Sequence, residues 1–215
     1  MKKLMVVVIL IVGLMVLNLY TEHLKCFKVL RYPFQVYKDG TSRINNCIPS
    51  GWAGDFRDLK IDHKWTINPK KGTSCMKIEY SAETVGAKWA SLNFAQNPYN
   101  HWTSIRGGYD LSTAKKIYFY ARGNKGDEVV EFRMAPLKGQ QAKISKRIEL
   151  SKEWKKYELE LNNKFEDMAG GFSVLVKASD NSGTVTFYID EIYYTNQDEM
   201  IDTVGRVSAT KNKIN

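Results

Sequence analysis

Residues Trp89 to Gly123 read WASLNFAQNPYNHWTSIRGGYDLSTAKKIYFYARG. The segment opens with a strand-like piece, Trp89 to Phe94. It passes through a polar loop carrying Tyr99 and Trp102, and returns in a second strand, Lys116 to Arg122. Rings interleaved with Asn, Gln, Ser and Arg suit a surface that touches something flat and rich in hydroxyls. A ring covers apolar area while polar neighbours set orientation. The competing reading is that most of these rings fill the core of a β domain, since large aromatics are mostly buried.

The same short-strand pattern extends outward from this segment over residues 32 to 195. Asp39-Gly40 and Pro49-Ser50-Gly51 are turn signals. Asn68 to Gly72 reads as a hairpin-like turn into Cys75 to Tyr80, which alternates with period two. Gly123 to Asp127 turns into Glu128–Met134. Lys146–Leu150 and Trp154–Leu161 form another alternating pair. Gly170-Gly171 leads into Phe172–Val176, and Asp180 to Gly183 turns into a long last strand, Thr184–Thr195. Only Asp110–Ala114 and Lys164–Ala169 read as short helical turns. About nine strands at roughly ten-residue spacing, without helical periodicity, predict an all-β fold, an antiparallel β-sandwich.

Composition agrees. The 215 residues are 43% hydrophobic, 26% charged and 12% aromatic, with five Trp and twelve Tyr. This is a globular profile, and its aromatics favour strands over helices. The net charge of +9 invites anionic partners, but the positive residues are scattered in short pairs such as Lys70-Lys71 and Lys155-Lys156. Without an Arg-rich stripe or an RNA-binding signature, nucleic acid is not expected as a partner.

The N-terminus is a separate unit. Lys2 and Lys3 precede an apolar run from Leu4 to Leu19, broken only by Gly13 and Asn18. A positive start before such a run is an export signal. No small-residue pair marks a cleavage site, and the run is slightly shorter than the ~20 residues of a spanning helix. Two readings follow for residues 1–24: an uncleaved anchor that holds the chain to the membrane, or a cleaved signal peptide. Either places the rest outside the cell or at its surface. Residues 25–33 read as a linker, 34–195 as the domain, preceded by the N-terminal hydrophobic helix, and 196–215 as a flexible tail. Cys26 lacks the small residues that precede a lipid-modified cysteine. For an exported chain, Cys47 and Cys75 are either a disulfide or two buried thiols, and spacing does not separate these.

Several stretches, taken in order, resemble a known family. They are Pro49-Ser50-Gly51-Trp52-Ala53-Gly54-Asp55, Asn68-Pro69 with Gly72-Thr73-Ser74-Cys75-Met76-Lys77-Ile78, and Gly108-Tyr109-Asp110-Leu111-Ser112. Phe119-Tyr120-Ala121-Arg122-Gly123, Trp154-Lys155-Lys156-Tyr157 and Phe187 to Tyr194 complete the series. The series resembles the β-jelly-roll carbohydrate-binding modules, of the galactose-binding-like type, found in bacterial extracellular proteins. The resemblance covers roughly residues 34 to 195. It implies a jelly roll and a polysaccharide or glycan as partner, while fold alone does not dictate function.

The resemblance also implies a structural calcium, held by an Asp of the final strand, here Asp190, together with Asp39. Lys38 stands where relatives carry a carboxylate, so the pattern is incomplete. It further implies that a sugar lies across one sheet or along its rim. Period two places Val130, Phe132 and Met134 toward the core and Glu131 and Arg133 on the opposite face. With Trp89, Tyr99 and Trp102 these could hold sugar hydroxyls, Arg supplying a planar fork of donors. Trp89 and Trp102 rank first, then Arg133, Glu131 and Tyr99. Trp52 and Asp55, in a glycine-flanked loop, rank last.

Catalytic signatures are missing. The three His residues, His23, His63 and His101, form no HExxH, and there is no CxxC and no G-x-S-x-G elbow. A glycosidase needs two carboxylates roughly 5–10 Å apart. Asp55, Asp58, Asp62 and Glu131 could be combined that way, but any sandwich offers such pairs. A non-catalytic binding domain is therefore expected. The alternative is a structural or protein-binding sandwich of the cell envelope without a sugar site.

Overall fold

Alternating residues along the chain fold into eleven strands in a computed structural model, which describes residues 30–96, 109–134, 144–162, 165, 168 and 170–197. They are β1 (Phe34–Tyr37), β2 (Ile48–Gly54), β3 (Leu59–Trp65), β4 (Cys75–Tyr80), β5 (Trp89–Ala95) and β6 (Lys116–Gly123). They continue with β7 (Val129–Met134), β8 (Ile144–Glu149), β9 (Lys155–Glu160), β10 (Gly170–Lys177) and β11 (Val185–Thr195). The strands pair antiparallel into two sheets. One has the order β2-β5-β10-β7-β8, and the other β3-β4-β11-β6-β9 with β1 also on β11. This is an all-β antiparallel sandwich.

The central strand of each sheet has neighbours on both sides. Along β11, β6 pairs with residues from Phe187 to Thr195. The opposite edge is shared: β4 takes Val185 to Ile189 and β1 takes Ile192 to Tyr194. A bulge between Asp190 and Tyr193 divides the halves, with Glu191 at φ 51°. The extra residue resets the alternation. Phe187 and Ile189 face the core before the bulge, and Ile192 and Tyr194 after it. At the other sheet, Gly171 lies so close to the Tyr194 hydroxyl that any side chain there would collide with it, and Tyr194 Oη donates to the Gly171 carbonyl.

The sheets are joined by aromatic rings. Phe119 of β6 meets Phe132 of β7 at 4.4 Å and Phe172 of β10 at 5.2 Å between centroids. Phe94 of β5 meets Phe172 at 5.6 Å, and Tyr157 of β9 stacks on Phe119 at 5.7 Å. The four Phe side chains are fully buried. Tilted and edge contacts of this kind add ~0.5–1.5 kcal/mol each beyond area burial.

Several expectations are corrected. Pro49-Ser50-Gly51 is not a turn but part of β2, an edge strand with a bulge between Pro49 and Gly51. An edge tolerates Pro because one side of the strand needs no ladder bond. Leu59 to Trp65, unassigned from sequence, is β3. The helical turns are 3-10, at Phe56–Asp58 and Ala178–Asp180, while Ser112 and Thr113 form a turn closed by the Ala114 N–H on the Leu111 carbonyl. Most of Lys164–Ala169 lies outside the described residues. Cys47 and Cys75 are buried and unpaired, and burial pushes both thiols up to about 12, so neither ionises at neutral pH. The N-terminal apolar run and the tail from residue 198 lie outside the described residues. Among the described residues no helix is long and apolar enough to cross a membrane.

If the ring cluster joins the sheets, Phe132→Ala should lower the unfolding free energy by about 3–5 kcal/mol. Urea unfolding followed by tryptophan fluorescence measures this, and a loss below ~1 kcal/mol would show that the sheets are held elsewhere.

Candidate functional site

The outward face of the five-stranded sheet is built from the residues that alternate with the core. On β7, Val130, Phe132 and Met134 are fully buried, so Glu131 and Arg133 point the other way. Strand register then extends two rows across the sheet. One is Gly51, Asn93, Ser173, Arg133 and Ser145, and the next is Ala53, Ser91, Leu175, Glu131 and Arg147. Trp89 pairs with Lys177 beside them. In the middle of this face Ser91, Ser173 and Leu175 are buried, and its flanks carry long side chains and an indole.

Each of the three cations named on this face has a carboxylate partner, Glu131 serving two of them. Arg133 Nε donates to Glu131 Oε1 at 2.8 Å, and Lys177 Nζ lies 3.6 Å from Glu131 Oε2. The bond from Arg133 holds the Glu131 carboxyl below the usual carboxylate range. Arg147 pairs with Asp180, at 3.2 Å from both its Nε and its Nη2. The pairing leaves planar donors fixed in place on the face that also carries the half-buried indole, two and three strands away from it. Trp89 is held by a close approach: its ring lies against Gly54, at φ 70°, where a Cβ would collide with it. Only glycine meets both demands.

Three of the sequence candidates, Trp89, Glu131 and Arg133, therefore share one face. Trp52 does not join them. It pairs with Leu92, on the core-facing side of an edge strand, and its 46% exposure reflects that edge. Asp55 instead secures backbone, its carboxylate accepting the Ala87 and Lys88 N–H groups at 3.2 and 2.7 Å. Asp58 likewise accepts from Thr84 N–H and Oγ1. Together they pin the segment leading into β5. Tyr99 and Trp102 lie outside the described residues. Sequence reading missed Asn93, Ser173, Lys177 and Arg147, whose only signal was their parity with residues already chosen.

The expected calcium ligands fit a cation poorly. Asp190 is fully buried, and its Oδ2 accepts the Lys70 and Lys71 N–H groups at 2.9 and 3.0 Å while Oδ1 accepts that of Glu191 at 2.9 Å. Calcium requires oxygen ligands, whereas three amide hydrogens converge here. Asp39 accepts from Thr41 through its N–H and hydroxyl, and Glu191 faces Lys71 at 3.9 Å. No group of three or more His, Cys, Asp or Glu is placed to hold a metal among the described residues.

Comparison with known proteins gives a fold. No protein-family model matches the chain, and no curated protein matches it in sequence. Among solved structures, the family 30 carbohydrate-binding module of the cellulosomal cellulase Cel9D-Cel44B of Clostridium thermocellum aligns with a TM-score of 0.53 at 15% identity, over 77% of this chain and 98% of that one. The fold is that of the β-sandwich carbohydrate-binding modules. A second family 30 structure aligns at 0.50 and 14% identity, over 76% and 98%. A family 29 module aligns at 0.47 and 15% identity, over 79% and 96%.

Burial pushes the Asp190 carboxyl up to about 7, against the pull of its three amides. An unfolded Asp titrates near ~3.9, so the native state binds the extra proton between the two values. Stability from this group is complete below about pH 4 and is lost as pH rises through about 7. Burial raises Glu191 too, against Lys71 and Lys38, which adds in the same direction. The melting temperature should therefore fall between about pH 5 and pH 8, and Asp190→Ala should flatten that fall while lowering stability at both ends. A slope unchanged in the variant would assign the effect to other groups.

Proposed function

We propose that this chain is a non-catalytic carbohydrate-binding domain, and that a polysaccharide or glycan lies on the outward face of the five-stranded sheet. The observation that carries the reading is the placement of Trp89, Lys177, Glu131 and Arg133 on one face of the sheet, with Lys177 paired to Trp89 across the strands and to Glu131 through charge. The indole offers a flat apolar surface to one sugar face. The matched ions offer fixed donors and acceptors to hydroxyls, with little reorganisation on binding. Tyr99 and Trp102 follow β5 in the chain and are proposed to extend the aromatic surface. Trp52 and Asp55, placed elsewhere, are not part of it.

In this reading the first 24 residues export the domain or anchor it at the cell surface, where tethering multiplies weak contacts. We further propose that the Lys70, Lys71 and Glu191 amides replace the calcium of relatives, by fixing the last strand to the loop after β3. Calcium or a chelator should then leave the melting temperature unchanged. A rise of several degrees with calcium would restore the metal site.

Glycan-array screening of the full chain, followed by affinity electrophoresis, tests the ligand. Trp89→Ala should weaken a bound glycan about tenfold, the equivalent of ~1.4 kcal/mol. Arg133→Ala and Trp102→Ala should weaken it as well. A genuine glycan ligand whose affinity survives all three changes would move the site off this face. No binding across the array would favour the structural or protein-binding role.

A further inference from the structure

The opposite sheet carries a different surface. On β6, Tyr118, Tyr120 and Arg122 alternate with the core residues Ile117, Phe119 and Ala121. Across the strands, Lys77 faces Tyr188, and Tyr188 faces Arg122. Tyr193 faces Tyr118, and Lys156 faces Tyr120. Nearly every ring has a cation over it. Arg122 Cζ lies 3.8 Å from the Tyr188 centroid and 5.4 Å from that of Trp154. Lys77 Nζ lies 4.5 Å from Trp65, and Lys156 Nζ 4.0 Å from Tyr118. Lys70 and Lys71 lie 5.1 and 5.8 Å from Tyr120.

This face differs from the first in its charge balance. Lys77 has Glu79 at 3.1 Å, and Lys71 has Glu191 at 3.9 Å. Among the described residues no carboxylate is within ion-pair distance of Arg122 or Lys70, and Arg122 Nε is buried with no hydrogen-bond partner. Elsewhere on this face Lys116 meets Glu158 and Glu160 at 3.4 and 4.0 Å and Asp62 stands opposite Lys77, so the cations over Tyr120 and Tyr188 form its positive centre. Rings hold these cations in place, each contact contributing ~0.5–1 kcal/mol where exposed. A side chain already confined loses less freedom when it meets a ligand.

We propose that this face is a second binding surface, and that it takes a linear acidic polysaccharide whose carboxylates or sulfates pair with the ring-seated cations. Lys77 and Arg122 sit two strands apart, roughly 10 Å from the usual strand spacing. A polyuronate presents one carboxylate per sugar and so meets several cations along its length. The face is paved rather than grooved, with its rings lying under their cations. That suits an extended polyanion more than an inserted lipid chain. The site is on the sheet opposite Trp89 and Arg133, so each surface can fail without the other.

The test is affinity electrophoresis of the full chain in gels containing polygalacturonate or heparin. Retardation is expected at low salt and should vanish at about 0.5 M, where screening acts over ~4 Å. The double change Lys70→Gln with Lys156→Gln alters exposed side chains that no core contact needs, and should weaken binding about tenfold. Arg122→Gln should do the same, with a retained cooperative unfolding transition, lowered only by the lost ring contacts, confirming that the variant is folded. Lys146→Gln with Lys152→Gln, removing the same charge elsewhere, should leave binding intact. Equal loss from the control pair, or full binding by the Lys70 and Lys156 variant, would overturn the proposal. So would absence of retardation, or tighter binding to phosphatidylserine vesicles or DNA than to polygalacturonate. Loss of neutral-glycan binding alone in Arg133→Ala bears on the first face and leaves this one standing.

Discussion

The contact between Phe119, Phe132 and Phe172 is what the rest of the structure depends on. These rings come from both sheets and close the space between them. Because strand side chains alternate, turning Phe132 inward compels Glu131 and Arg133 outward, and turning Phe119 inward compels Tyr118 and Tyr120 outward. The two outer surfaces are thus the necessary reverse of the core, and a slip of one residue would destroy both together.

Carboxylates, buried and half-buried, serve as local clamps on the backbone. Glu128 shows it most plainly: four consecutive N–H groups, from Asn124 to Asp127, point at its carboxylate. Burial pushes its titration up, but the amides outweigh burial and hold it low. Asp55, Asp58 and Asp190 also accept backbone N–H groups from other loops, and at Asp190 burial wins over the amides. Acid residues in this chain therefore mark backbone to be satisfied more often than chemistry to be done. That is why the carboxylates that could be combined as a glycosidase pair are already engaged with backbone or with neighbouring cations.

The two outer faces divide the surface chemistry. On the five-stranded sheet the charges are matched, so the face presents hydrogen-bond groups at nearly neutral balance. On the six-stranded sheet the cations outnumber their acids and rest on rings. A neutral polyol and a polyanion make opposite demands on desolvation: the first needs dipoles with little net field, the second needs net positive charge. A single sandwich can meet both because its sheets face away from each other.

The alternation of Cys75 to Tyr80 and of Val129 to Met134, and the ring-rich segments around them, made the sandwich and the Glu131–Arg133 face legible from the chain alone. Such information is local, since period two is a property of one strand. Strand β2 was hidden by its turn-forming residues, and β3 by its charges, because an edge strand needs neither apolar continuity nor a full ladder. The roles of Asp55 and Asp190 depend on amides far away in sequence, at Lys88 and Lys70. The bulge at Glu191 resets which rings of β11 face out. In KIYFYARG both faces carry aromatics, so only the partner sheet decides which ones are covered. Sequence determined the strands and their two-sidedness, and tertiary structure decided which side meets solvent and which charges gather there, because burial and charge proximity are properties of strands brought together.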